Sequence, residues 1–163
     1  MKTNLRFVVD SGIIAALYAV ITWILPIASY GPLQFRFSEI LTLLAFYNPA
    51  FIPGLSLGCL LANLPSPFGV YDVIFGTLAT FLSLLAMKKS KKLFIASLMP
   101  GIFNGLIIGL EIYFLTGAKD SFWLLGAQVF LSEFLIVSII GVGIFHHLER
   151  NTVFMDKIKS LMN

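Results

Sequence analysis

Apolar residues run in five long stretches, at 7–27, 37–64, 71–87, 93–116 and 122–145, and most polar residues lie between them. At ~1.5 Å rise per residue, the last two stretches are long enough to cross a ~30 Å hydrocarbon core with some tilt. The first exceeds the ~7–15 apolar residues of a secretory signal, so we read it as a retained helix. It holds Asp10 near its start and ends at Pro26 and a Tyr30-Gly31-Pro32 turn. Asn48-Pro49 and Pro53 interrupt the second stretch. It is either one kinked span or two short helices with a turn at Tyr47-Asn48-Pro49. The pattern predicts an all-α fold in a single domain over 1–163, with helices near 7–29, 38–47, 50–64, 71–87, 93–116 and 122–145.

Charge decides between five spans and six. With both termini and the Lys88, Lys89, Lys91 and Lys92 block in the cytoplasm, nine of the eleven Lys and Arg residues lie inside. Arg36 and Lys119 remain outside. Five spans would put the lysine block and the basic tail on opposite sides. The positive-inside rule therefore favours six membrane helices with both termini cytoplasmic, in a multi-pass protein of a cell membrane. Helices two and three are short and cross fully only by tilting or where the bilayer thins.

Composition agrees. The chain is 58% hydrophobic before its 13 glycines are counted, and only 12% charged, against about 25% charged residues in a typical soluble domain. A soluble enzyme or nucleic-acid binder is excluded by that balance despite the net charge of +3. The single cysteine, Cys59, permits no internal disulfide and has no metal-ligand spacing.

Six-span topology assigns a depth to each polar group. Arg36 lies in the first outer loop, with Glu39 at the outer end of helix two. Asn63 ends helix three, and Tyr71 and Asp72 begin helix four. Asn104 and Glu111 lie in the middle and outer half of helix five, and Gln128 and Glu133 in the outer half and middle of helix six. Ionisable groups inside spans are costly and mark function by default. Their confinement to the outer half fits a pocket open to the outside, whereas a relay or channel needs polar groups across the whole thickness.

Asn104 and Glu111, seven apart, share a helix face. Gln128 and Glu133, five apart, diverge by about 140° and cannot both point at one centre. Bland roles compete at several positions: an interfacial salt bridge for Arg36 and Glu39, a helix cap for Asp72, an interhelical hydrogen bond for Asn63. Trp123 and Tyr113 form an aromatic belt or a stacking wall. Gly101, Gly105 and Gly109, and likewise Gly54, Gly58 and Ala62, are small-residue stripes suited to packing in the bundle. Ala15 and Ala19 share a face of helix one and either pack in the bundle or meet another membrane protein.

Catalytic motifs are absent. There is no phosphate-binding loop, no H-E-x-x-H and no G-x-S-x-G. His146 and His147 are adjacent and point to different faces. No catalytic residue, metal site or cofactor is expected, and nucleic acid is not an expected partner.

The segment Gln34-Phe35-Arg36-Phe37-Ser38-Glu39-Ile40-Leu41-Thr42 resembles the Q-x-R-x-S-E-x-L-T stretch of the QueT family. Asn48-Pro49-Ala50, Ile52-Pro53-Gly54-Leu55 and Gly58-Cys59-Leu60-Leu61-Ala62-Asn63 continue the likeness. Tyr71-Asp72-Val73-Ile74-Phe75-Gly76-Thr77-Leu78-Ala79-Thr80 is similar to its D-x-x-F-G-[ST]-L-A-T segment. The resemblance implies the substrate-binding S component of an energy-coupling factor (ECF) transporter. It implies a small-molecule substrate, a queuosine precursor or salvage base of the deazaguanine type. It also implies a transmembrane T component and two partner ATPases, so that this chain is a transport subunit and no enzyme. In that family an A-x-x-x-A pair on helix one faces the T component, and Ala15 and Ala19 match it.

The expected substrate-binding residues are Arg36, Glu39, Asn63, Tyr71, Asp72, Asn104, Glu111, Gln128 and Glu133, and the expected partner-coupling pair is Ala15 and Ala19. Carboxylates would accept N–H donors of a guanine-like edge, and amides would satisfy its carbonyl. The alternatives are an S component for another flat vitamin, flavin or thiamine-like, or a small oligomeric channel or secondary transporter. An intramembrane enzyme fits less well, having no spaced acid–base or metal pair.

Overall fold

A computed structural model describes residues 2–30 and 34–160. The expected turn at Gly31-Pro32 lies outside the described residues. The helices are α1 (Lys2–Ile24), α2 (Phe37–Tyr47), α3 (Pro49–Asn63), α4 (72–89), α5 (Leu93–Leu115), α6 (Phe122–Leu148) and α7 (Thr152–Ser160), with a single turn at Pro26–Ser29 after α1. No strand occurs among the described residues. Three stretches are long and apolar enough to cross a membrane: Phe7–Ile24, Leu93–Leu115 and Phe122–Leu148.

The second apolar stretch is two helices. Asn48 is extended (φ −148°, ψ 106°), as the residue before a proline prefers, and its side-chain oxygen accepts the Ala50 N–H at 3.0 Å. The chain reverses there. Arg36 at the start of α2 and Asn63 at the end of α3 both reach Asp72, one by an ion pair of 3.8 Å and the other by a hydrogen bond of 3.0 Å to its backbone carbonyl.

The helices pack as a ring. α1 lies along α3, α3 along α4, α4 along α5 and α5 along α6; the 134–141 part of α6 then meets α2, which returns to α1. α2 is the enclosed member, burying Ser38, Glu39, Thr42, Leu43, Leu44 and Ala45. Small residues set the closest approaches. A Cβ at Gly109 would stand 2.7 Å from the Gly126 Cα, and one at Gly126 2.8 Å from the Gly105 carbonyl, so α5 and α6 touch backbone to backbone.

The same geometry places the small face of α1. Ala15 and Ala19 are 1% and 2% exposed. A Cβ at Gly58 would lie 3.0 Å from the Ala15 Cα and 2.7 Å from the Tyr18 Cβ. The small face of α1 is therefore packed against the Gly54-Gly58 face of α3.

The outside of the bundle is oily. Val8, Ile13, Leu17, Leu106, Leu131 and Ile139 are among many large apolar residues left exposed, as expected where lipid is the solvent. At the end that carries Lys88 to Lys92, α7 closes the bundle. It buries Met155 and Ile158 against a core that includes Phe145, and the Asn48 amide donates to the Ile158 carbonyl at 3.1 Å. Its charged residues alone suggest only a basic tail. The two buried residues, three apart among polar ones, are what make it a docked helix.

Candidate binding site

Buried charge gathers at the other end of the bundle. Arg36 enters from the segment before α2. Its Nε donates to the Ser29 carbonyl at 3.3 Å, its guanidinium lies 5.7 Å from the Tyr30 ring centre, and Nη2 faces Asp72 Oδ2 at 3.8 Å. Ser66 donates to that same Asp72 oxygen. Tyr30 in turn donates to the Ala62 carbonyl, as does the Trp23 indole at 3.3 Å. The end of α1 is thereby fastened to the end of α3, beside Asn63.

Asn63 sits against a gap left by a glycine. A Cβ at Gly76 would stand 2.6 Å from the Asn63 Nδ2, which approaches the backbone there to donate to the Asp72 carbonyl. Its Nδ2 also lies 3.5 Å from Cys59 Sγ, and Cys59 lies 3.2 Å from the Thr80 hydroxyl. Thr80 donates to Glu39 Oε1 at 3.3 Å, and Tyr18 of α1 donates to the same oxygen. A continuous polar chain thus joins α1, α2, α3 and α4.

The second half of the molecule supplies two more carboxyls. Asn104 donates to Glu133 Oε1 at 3.0 Å across α5 and α6. Glu133 feels the charges of Glu39 and Arg36 across the interior. The Glu111 carboxyl lies near that of Asp72. Neither Glu111 oxygen has a hydrogen-bond partner.

The unpartnered atoms define what the site can do. Glu39 Oε2, Asn63 Oδ1, Asp72 Oδ1, both Glu111 oxygens and Glu133 Oε2 are buried acceptors without a donor, and Arg36 Nη2, ion-paired to Asp72 at 3.8 Å, makes no hydrogen bond. Leaving such groups unpaired costs roughly 1–3 kcal/mol each, and more when they are charged. The site is therefore rich in acceptors, strongly acidic and poor in donors. It calls for a ligand with several N–H or ammonium groups and one acceptor.

Seven of the nine residues singled out from sequence come together here: Arg36, Glu39, Asn63, Asp72, Asn104, Glu111 and Glu133. Two do not. Tyr71 is 49% exposed and lines an apolar groove of about 510 Å³ with Phe75, Leu110 and Phe114, where Glu111 also appears. Gln128 is half-buried, and among the described residues no hydrogen bond of its side chain joins it to the cluster.

At the start of its helix the Asp72 side chain is engaged by Ser66 and Arg36. Trp123, at 76% exposure, lies on the outside of the bundle rather than along a ligand wall. Tyr18, Ser66 and Thr80 escaped the sequence reading. Tyr18 and Thr22, one turn apart and both fully buried, are the signal that could have marked α1 as a contributor.

The comparisons with known proteins point the same way. A protein of Lactococcus lactis subsp. cremoris (strain MG1363), "Queuosine precursor transporter QueT", is 46% identical over 87 residues, which make up 51% of this chain and 51% of that relative. The matched stretch thus spans about half the length of the curated relative. No solved structure matches the chain significantly. The QueT transporter family matches over residues 8–150, a span holding every residue of the buried cluster, and the chain belongs to that family.

Proposed function

We propose that this chain is the substrate-capture subunit of an ECF-type importer, taking a queuosine precursor or salvage base of the deazaguanine type from the extracellular side. One observation carries the reading: the unpartnered buried acceptors of Glu39, Asn63, Asp72, Glu111 and Glu133, set around a single buried guanidinium at one end of the bundle. A guanine-like edge offers N–H donors beside one carbonyl, the complement of that set. An aminomethyl substituent would add an ammonium, which the excess of carboxyls favours.

In this reading six helices cross the membrane, both termini and the lysine block are cytoplasmic, and the cluster opens outward. A transmembrane T component and two ATPases supply the energy. Their motion topples the loaded subunit in the membrane so that the site faces inward. An exterior almost free of charge suits that rotation.

Thermal unfolding of the purified protein with deazaguanines, guanine, riboflavin and thiamine tests the reading. Stabilisation by deazaguanines is expected; stabilisation by riboflavin or thiamine alone would overturn the substrate class. Purification from the native membrane tests the partners, and absence of any ATPase from the isolated complex would count against the importer.

A further inference from the structure

Glu39 is the most enclosed carboxyl of the cluster, fully buried on the central helix, and its two oxygens have different roles. Oε1 accepts from Tyr18 and, at 3.3 Å, from Thr80. Oε2 has no partner. The last torsion of a glutamate is soft and nearly two-fold, so an unrestrained carboxyl would exchange its oxygens freely. Two donors on one oxygen, arriving from α1 and α4, remove that freedom and hold the other oxygen free as an acceptor.

Tyr18 is itself held. Its ring is fully buried and closes on Gly58, where a Cβ would come within 2.7 Å of the Tyr18 Cβ. One turn on, Thr22 donates to the Tyr18 carbonyl at 3.0 Å and lies 2.7 Å from the hydroxyl of Ser38, the neighbour of Glu39. α1 therefore grips α2 at two successive turns, and the phenol is the grip that ends on a site carboxyl.

We infer that Tyr18 is a positioning residue of the binding site: its hydroxyl fixes the Glu39 carboxyl so that Oε2 is presented to the ligand, with Thr80 as the second support. The inference rests on the proposed function for its ligand. It stands on the geometry of the unliganded protein for the contact itself.

The test uses the full chain in nanodiscs, labelled with 13C at the glutamate carboxyls. The sequence contains four glutamates, and the Glu39 signal is identified by its loss in Glu39→Gln. In Tyr18→Phe, which keeps the ring, the Glu39 signal moves while those of Glu111, Glu133 and Glu149 stay. Thr80→Val shifts it less. With 7-aminomethyl-7-deazaguanine as the probe, Tyr18→Phe weakens binding about tenfold in the wild-type background, the loss of one charge-assisted contact. In the Glu39→Gln background the same change costs no more than about twofold, because the two residues act as one. An unmoved Glu39 signal, or equal losses in both backgrounds, would overturn the inference. If the wild type ignores the probe, the substrate reading falls, and the Glu39 signal alone then decides for or against Tyr18.

Discussion

Replacing Glu133 by glutamine separates a ligand contact from a structural one. Glu133 Oε1 accepts from Asn104 at 3.0 Å, and Oε2 is buried without a partner. Glutamine has the same shape, and its oxygen still serves Asn104, so no existing hydrogen bond is lost. At the free position an acceptor becomes an NH₂ donor. In the empty protein this exchanges one buried unpaired group for another, each at a cost of roughly 1–3 kcal/mol. Glu133→Gln should therefore unfold at the same temperature as wild type or higher.

Binding should move the other way. A hydrogen bond to a charged group contributes roughly 1.5–3 kcal/mol, which is about 12- to 160-fold in affinity at 1.36 kcal/mol per decade. Calorimetric titration with a deazaguanine, paired with thermal unfolding of the empty protein, reads both signs. Unchanged affinity would remove Glu133 from the site. A drop in the melting temperature of the empty protein would show that the carboxylate supports the fold.

Gly76→Ala puts a Cβ where the Asn63 amide now lies, 2.6 Å away. The amide can swing aside, so melting should shift by no more than the ~2–4 °C that about 1 kcal/mol produces in a chain this size. Affinity should fall about tenfold, while Gly12→Ala, with nothing within 4 Å of the new methyl, should leave both readings unchanged. Asn48→Ala removes the cap on Ala50 and the bond to Ile158, at a cost of about 1–2 kcal/mol. It should raise deuterium exchange across Thr152–Ser160 without weakening ligand binding; loss of affinity in step with the exchange would mean that the two ends of the bundle are coupled.

Much of this was legible because charge is rare in the chain. Arg36, Asp72, Glu111 and Glu133 stand out in apolar stretches, and a membrane solvent gives each a reason to find company. The break at Asn48-Pro49 was equally plain, since proline dictates the backbone before it. Tyr18, Ser66 and Thr80 were silent for the opposite reason. Hydroxyls are ordinary in apolar helices, where a backbone carbonyl one turn away can satisfy them, as Ser56 and Thr116 show by donating to Ile52 and Ile112. The small face of α1 was visible, but spacing says nothing about what covers a face. Only the matching stripe at Gly54 and Gly58, in the same chain, held that answer.

The winding of the helices could not be read from composition or spacing, and it determines how the cluster converges. Glu39 lies in a 3₁₀ stretch, Phe37–Leu43, while Asp72 opens one π stretch, Asp72–Gly76, and Glu133 directly precedes another, Phe134–Gly141. In a 3₁₀ helix residues three apart eclipse. Glu39 and Thr42 therefore fall on one line and are both buried, whereas at 100° per residue they would diverge by about 60°. In α6 the i→i+5 pattern of a π stretch brings residues five apart towards one another. Glu133 and Ser138 are both buried, and Ser138 reaches the Ser97 carbonyl at 3.1 Å. Gln128 is also five residues from Glu133, but on the α-helical side. There the 140° divergence holds, and Gln128 is half-buried with no side-chain hydrogen bond to the cluster among the described residues. The departures from α-helical geometry thus decide which polar residues of the apolar helices share the site.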